Sequence, residues 1–208
     1  MDDFYYTIKT PARGEIKIKG SRFLAECRPV ASIEEVDSML GQIRRREHAA
    51  THHCYAYRIG ATGERAFKYS DDGEPSGTAG RPIYDVLLGR DLTNILIVVT
   101  RYFGGTRLGT GGLARAYAEA AGLAVEKSDR VKNFLTEALQ VQIPFPLYDR
   151  LMKLVQKYSA DQTGAEYSDQ VALSLRVRRS RVDSLVADIT ELSGGKAVIK
   201  RDRIEDDR

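Results

Sequence analysis

The stretch that most constrains the fold is NILIVVT, Asn94 to Thr100. It is apolar at successive positions, so both of its faces must be covered, and it is far too short to span a bilayer. Such a run belongs in the middle of a sheet. Arg101, Tyr102 and Phe103 follow it, then the glycine-rich run Gly104 to Gly112, then an alanine-rich segment from Leu113 to Val125. In that segment Leu113, Ala116, Tyr117, Ala120, Ala121 and Leu123 recur on one side of a helix. Its alanines permit close approach to the sheet. Free amides at a helix start, next to glycines, make an anion site. Arg101, Arg107 and Arg115 add fixed positive charge around Gly109, Thr110, Gly111 and Gly112.

A second loop of the same kind precedes the strand, Asp71-Asp72-Gly73-Glu74-Pro75-Ser76-Gly77-Thr78. Gly73 and Gly77 permit backbone angles that other residues resist. Ser76 or Thr78 is expected to accept from the free amides of the next helix, which carries Ile83, Val86 and Leu87 and has Pro82 in its first turn. Asp71, Asp72 and Glu74 have the chemistry to hold a divalent metal or to act as acid and base. They lack the spacing of a calcium loop, and adjacent acids in a turn more often cap a helix or pair with an arginine. Upstream, His48, His52, His53 and Cys54 invite a zinc reading. Adjacent side chains on a strand point to opposite faces, however, and no tetrahedral ligand spacing is present. The expectation is therefore no metal, no cofactor and no catalytic residue. His52, His53, Asp71, Asp72, Glu74, Ser76 and Thr78 are expected to line one groove with the glycine loop.

Two nucleotide motifs fail here. Gly104 and Gly109 have P-loop spacing, but Thr110 and Gly111 stand where lysine and a hydroxyl are needed. Gly109, Gly111 and Ala114 fit a relaxed dinucleotide fingerprint, yet Phe103 to Leu108 separate the strand from it and no parallel strand follows.

The remaining chain reads as two domains of an α+β protein, 1–130 and 131–208. Residues 4–30 are β structure. Ser32 and Glu35 form a capping box opening a helix with Val36, Met39, Leu40 and Ile43 inward and Arg44, Arg45 and Arg46 at its end. Residues 128–133 read as a charged linker. Beyond it, Leu139, Val141, Ile143 and Phe145 alternate, a helical stripe follows, then strands near 164–167 and 171–177, a second helix stopped by Gly194-Gly195, and a strand at 197–200. The order is β-α-β-β-α-β, the ferredoxin-like unit. Its uncovered face shows Gln140, Gln142, Ser174, Arg176 and Arg178 and lacks the stacking aromatics of an RNA-recognition motif. A tail at 205–208 reads as frayed. The net charge of +3 neither requires nor excludes a nucleic-acid partner. Two cysteines and an acidic opening without an apolar core predict a cytoplasmic protein with no membrane partner.

The runs SDDGEPSGTAGRP, VVTRYFGGTRLGTGGLARAY and ATHHCYAYRIG resemble the Impact family. The resemblance covers essentially the whole chain. It implies an amino-terminal β-α domain like the second domain of ribosomal protein S5, then a ferredoxin-like domain like those of translation elongation factors. Eukaryotic members of the family regulate translation by competing for a partner of an initiation-factor kinase through an additional domain. This sequence offers no stretch for that domain, so that mechanism is not carried over. Some relatives have been labelled peptidases, but no metal set or nucleophile–base pair supports that here. The resemblance and the arginine-flanked loop together imply a non-catalytic protein that binds RNA or the ribosome and modulates translation. Two alternatives stay open: a hydrolase or transferase acting on a phosphorylated small molecule through Asp71, Asp72 or Glu74, and a protein-interaction module using Arg176 and Arg178.

Overall fold

The computed structural model describes residues 3–61 and 66–202. The tail at 205–208 lies outside the described residues. The described residues divide into two compact units, one within Tyr5–Asn133 and the other built from residues 134–202 with Asp3 and Phe4. No helix among the described residues is long and apolar enough to cross a membrane.

The unit spanning Tyr5–Asn133 is organised on β6 (Ile95–Tyr102), which lies at the centre of a five-stranded antiparallel sheet. The sheet order is β2 (Ala12–Ile18), β3 (Ser21–Pro29), β6, β4 (His52–Ile59), β5 (Ala66–Ser70). Ile95, Ile97 and Val99 face α2 (Gly80–Gly89) and α3 (Thr110–Glu126), while Leu96 and Val98 face α1 (Ile33–Arg46). The continuous apolar run is thus explained by helices on both faces, in a sheet whose strands all run antiparallel. Ala116, Ala120 and Ala124 are fully buried, and Gly14 of β2 lies so close to Ala124 that an added Cβ would meet its backbone nitrogen at 2.8 Å. Close helix–sheet contact is therefore made by small residues on both sides.

The capping box at α1 forms: Ser32 Oγ accepts from the Glu35 amide at 3.3 Å, and the Glu35 carboxylate accepts from the Ala31 amide at 2.8 Å. The stretch read as a linker contains a strand instead. β7 (Arg130–Phe134) pairs with β1 (Phe4–Ile8) as a separate two-stranded sheet. The Arg130 guanidinium sits 3.9 Å from the centre of the Tyr6 ring, which explains how so charged a strand docks.

The second unit carries β8 (Thr136–Pro144), α4 (Tyr148–Lys157), β9 (Asp161–Tyr167), β10 (Gln170–Arg178), α5 (Arg179–Leu192) and β11 (Val198–Asp202). The sheet order β11-β8-β10-β9 is antiparallel throughout, the ferredoxin-like arrangement. Leu139, Val141, Ile143, Leu173, Leu175 and Val177 pack under Leu151, Val155, Val182, Leu185 and Ile189 of the two helices. Phe145 falls beyond the strand, in a short 3-10 turn. Arg176 and Arg178 lie on the other sheet face, opposite Ala138 and Thr136, and the Arg178 guanidinium stacks 3.5 Å from the centre of the Phe134 ring.

Candidate functional site

The end of the five-stranded sheet where β6 finishes and β3 and β4 begin carries nearly every residue singled out above. Register places Phe23, Arg101 and His52 side by side on the face of α2 and α3. The loop 71–78 and the start of α3 complete this end. The predicted residues fall there into two sets with different chemistry.

The first set is tied into the scaffold. Asp71 caps α2: its Oδ1 accepts from the amides of Ala79 at 2.9 Å and Gly80 at 2.8 Å, and its Oδ2 from Gly77 at 2.9 Å. The cap expected from Ser76 or Thr78 is therefore supplied by Asp71, because Gly73 and Gly77, both at positive φ, fold the loop back over it. Ser76 is exposed, and Thr78 Oγ donates to the Pro75 carbonyl at 2.7 Å. Asp72 accepts from the His53 amide at 2.7 Å and pairs with Arg44 at 3.0 Å. Its carbonyl lies 2.8 Å from His52 Nδ1, so that nitrogen carries the proton.

Glu74 and Arg101 form the buried centre. Their side chains are 4% and 6% exposed and meet at 2.6 Å. The same carboxylate oxygen accepts from the Tyr117 hydroxyl at 2.8 Å, which links the loop to α3. Arg101 also reaches Ser21 Oγ at 3.4 Å and lies 5.4 Å from each of the Phe23 and Phe103 ring centres. Ser21 Oγ in turn accepts from the Gly104 amide at 3.1 Å, fixing where the glycine loop departs. Cys54 donates to the Asp71 carbonyl at 2.9 Å, and burial pushes its thiol up to about 12, which disfavours the thiolate. Burial likewise holds His53 below the ordinary histidine value, despite Asp72 nearby.

The second set is open. Gly109, at φ 71°, supplies no side-chain cap to α3, and the first bond of the helix runs from the Leu113 amide to the Gly109 carbonyl at 2.9 Å. The amides before Leu113 have no helical partner. Gly109, Thr110 and Gly111 are exposed, as are Arg107 and Arg115, and Gly112 is half-buried. Gly109 needs its glycine for the left-handed turn, and Gly111 leaves room into which Arg115 folds, 3.8 Å from where a Cβ would stand. The result is a helix start without a side-chain cap, with exposed arginines at 107 and 115 in the flanking sequence; helix starts of this kind favour negative charge. No group of three histidine, cysteine or acidic side chains among the described residues is placed to hold a metal ion.

Sequence reasoning missed three members of this end. Ser21 falls in a stretch read only as β structure, Tyr117 reads as core and Arg44 as one of three arginines ending a helix. A tyrosine on the buried stripe of an alanine helix is the one usable signal, since its hydroxyl needs a partner when buried.

The Asp71 carboxyl is raised by burial, but the amides of Gly77, Gly80 and Ala79 outweigh this and hold it below the usual aspartate value. Its contribution is therefore complete above the unfolded aspartate pKa of about 3.9 and disappears as pH falls through the lower folded value. Asp71→Ala should cost about 1–2 kcal/mol at neutral pH, the upper range for a lost cap, measured by urea unfolding. The difference from wild type should shrink below about pH 4. An unchanged difference at low pH would contradict the assignment.

Fold and site together define an α+β protein with a β/α amino-terminal unit, a ferredoxin-like second unit and an arginine-flanked glycine loop. The model of the Impact N-terminal domain matches residues 19–125, and a domain of unknown function (DUF1949) matches residues 141–196. The chain belongs to the Impact family. It is 33% identical over 196 residues to IMPACT family member YvyE of Bacillus subtilis, covering 94% of this chain and 90% of that protein. It is 31% identical to IMPACT family member YigZ of Escherichia coli, covering 86% and 88%. Protein IMPACT of Rattus norvegicus aligns over 110 residues at 28% identity, 52% of this chain and 35% of that one. A crystal structure of a hypothetical protein matches all of both chains with a TM-score of 0.70 at 26% identity.

Proposed function

We propose that this protein binds RNA or the ribosome in the cytoplasm and modulates translation without catalysing a reaction. The observation that carries the reading is the start of α3, which has no side-chain cap and is flanked in sequence by the exposed Arg107 and Arg115, so that the first-turn amides from Thr110 to Gly112 lack an intrahelical acceptor. Membership of the Impact family supports the translation context. Arg101 has a different part: it is committed to Glu74 and holds the loop's base. An enzyme using the acidic loop finds less support, because Asp71, Asp72 and Glu74 each already serve amides, an arginine or a tyrosine. Arg107→Ala/Arg115→Ala should weaken ribosome binding and flatten its dependence on salt by about two phosphate contacts, read by co-sedimentation at several salt concentrations.

A further inference from the structure

On the sheet face that carries α1, the helix packs over β4 and β6, and the β3–β2 side of the same face is charged. At its centre Glu26 is 3% exposed and gathers three guanidinium groups. Its Oε2 accepts from Arg13 Nε at 2.8 Å and Arg46 Nη2 at 2.6 Å, and its Oε1 from Arg28 Nε. Arg46 shares a second carboxylate, Glu47, at 3.0 Å, but that group also accepts from the Tyr102 hydroxyl at 2.7 Å. Arg13 and Arg28 have no other partner among the described residues. Arg28 is only 24% exposed on its side chain.

Three positive charges therefore meet one buried and one shared negative charge. The carboxyl end of α1 helps Arg46, which lies in its last turn, but neither Arg13 nor Arg28, which are on strands. Arg28, about three-quarters covered, has only a share of one carboxylate, and the cluster as a whole keeps an excess of positive charge that a bound anion would offset. The geometry suits one. Arg13 and Arg28 each use Nε on Glu26, which leaves the two terminal nitrogens of each fork free for a tetrahedral anion. Burial pushes the Glu26 carboxyl up, but Arg28, Arg13 and Arg46 outweigh it and hold it low, so it stays charged and keeps the arginines in place.

We propose that Arg13, Arg28 and Arg46, gathered by Glu26, form a receptor for a phosphate group on the sheet face opposite α2 and α3. It is independent of the α3 loop. The phosphate belongs either to a small phosphorylated molecule or to a nucleic-acid backbone. Titration calorimetry at fixed ionic strength, with inorganic phosphate and with a short single-stranded RNA, tests the site and separates the sources. Phosphate should bind the wild type, and Arg13→Gln/Arg28→Gln should weaken it about tenfold, as loss of charge-assisted bonds requires. Arg107→Ala/Arg115→Ala should leave it within about twofold of wild type. Arg13→Gln alone, at a side chain 54% exposed on an edge strand, guards against misfolding and should still weaken phosphate about threefold. If RNA affinity falls with the same variants, the ligand is a phosphodiester; if phosphate alone weakens, it is a small molecule; both uphold the site. Absence of phosphate binding to wild type, or wild-type affinity in both arginine variants, overturns it.

Discussion

Glu74→Ala is expected to destabilise the Tyr5–Asn133 unit by about 3–5 kcal/mol, the cost of removing one partner from a buried ion pair. Among the described residues the carboxylate is the only ion-pair partner of Arg101, whose side chain is 6% exposed and whose Nε is already buried without a hydrogen-bond partner. Its loss strands that charge. It also removes the acceptor of the Tyr117 hydroxyl, so α3 loses its polar tie to the loop. Glu74→Gln should cost less, since an amide oxygen still accepts from Tyr117 and Arg101. Urea unfolding followed by circular dichroism gives the size, and hydrogen exchange assigns it to β6 and α3. A loss below about 1 kcal/mol would mean that the pair contributes as little as a surface pair.

Gly104→Ala is the second large effect. A Cβ there would stand 1.9 Å from the Gly20 carbonyl carbon and 2.2 Å from both the Gly20 oxygen and the Ser21 nitrogen. These are backbone atoms held by the pairing of β3 with β2 and β6, so they cannot yield as a flexible side chain would. The loop must move instead, breaking the bond from the Gly104 amide to Ser21. The expected cost is about 1–3 kcal/mol, as for overpacking, with the start of α3 displaced. Gly105→Ala is the control. It sits at φ 85° with open space around it, so only backbone strain of about 1–2 kcal/mol applies and the β3–β6 contact survives. The two variants differ in hydrogen exchange at Ser21–Phe23, which should rise for Gly104→Ala alone.

These residues also show what sequence can and cannot reveal. The central place of β6 is legible because an apolar run on both faces has few other homes, and the second unit is legible because its alternation and helix stripes are regular. β7 is not, since Arg-Val-Lys-Asn-Phe is short and charged and its partner β1 lies at the other end of the unit. The start of α3 is hidden by Gly111 and Gly112, poor helix formers, so the sequence points to a helix from Leu113 whereas it begins at Thr110. Arg101 reads as a third phosphate-holding cation beside Arg107 and Arg115 because the residue that neutralises it lies 27 positions away. The Asp71 cap is hidden for a similar reason: the hydroxyl residues stand nearer the helix in sequence, and only the folded loop brings the aspartate to the amides.

In the proposed function, Arg107, Arg115 and the amides before Leu113 hold RNA phosphate. Ribosome co-sedimentation with wild type and with folded Arg107→Ala/Arg115→Ala tests it most directly. Wild type should pellet with ribosomes at low salt and be released as salt rises, while the variant stays in the supernatant. Equal pelleting of both proteins, or none of wild type at any salt, would contradict it.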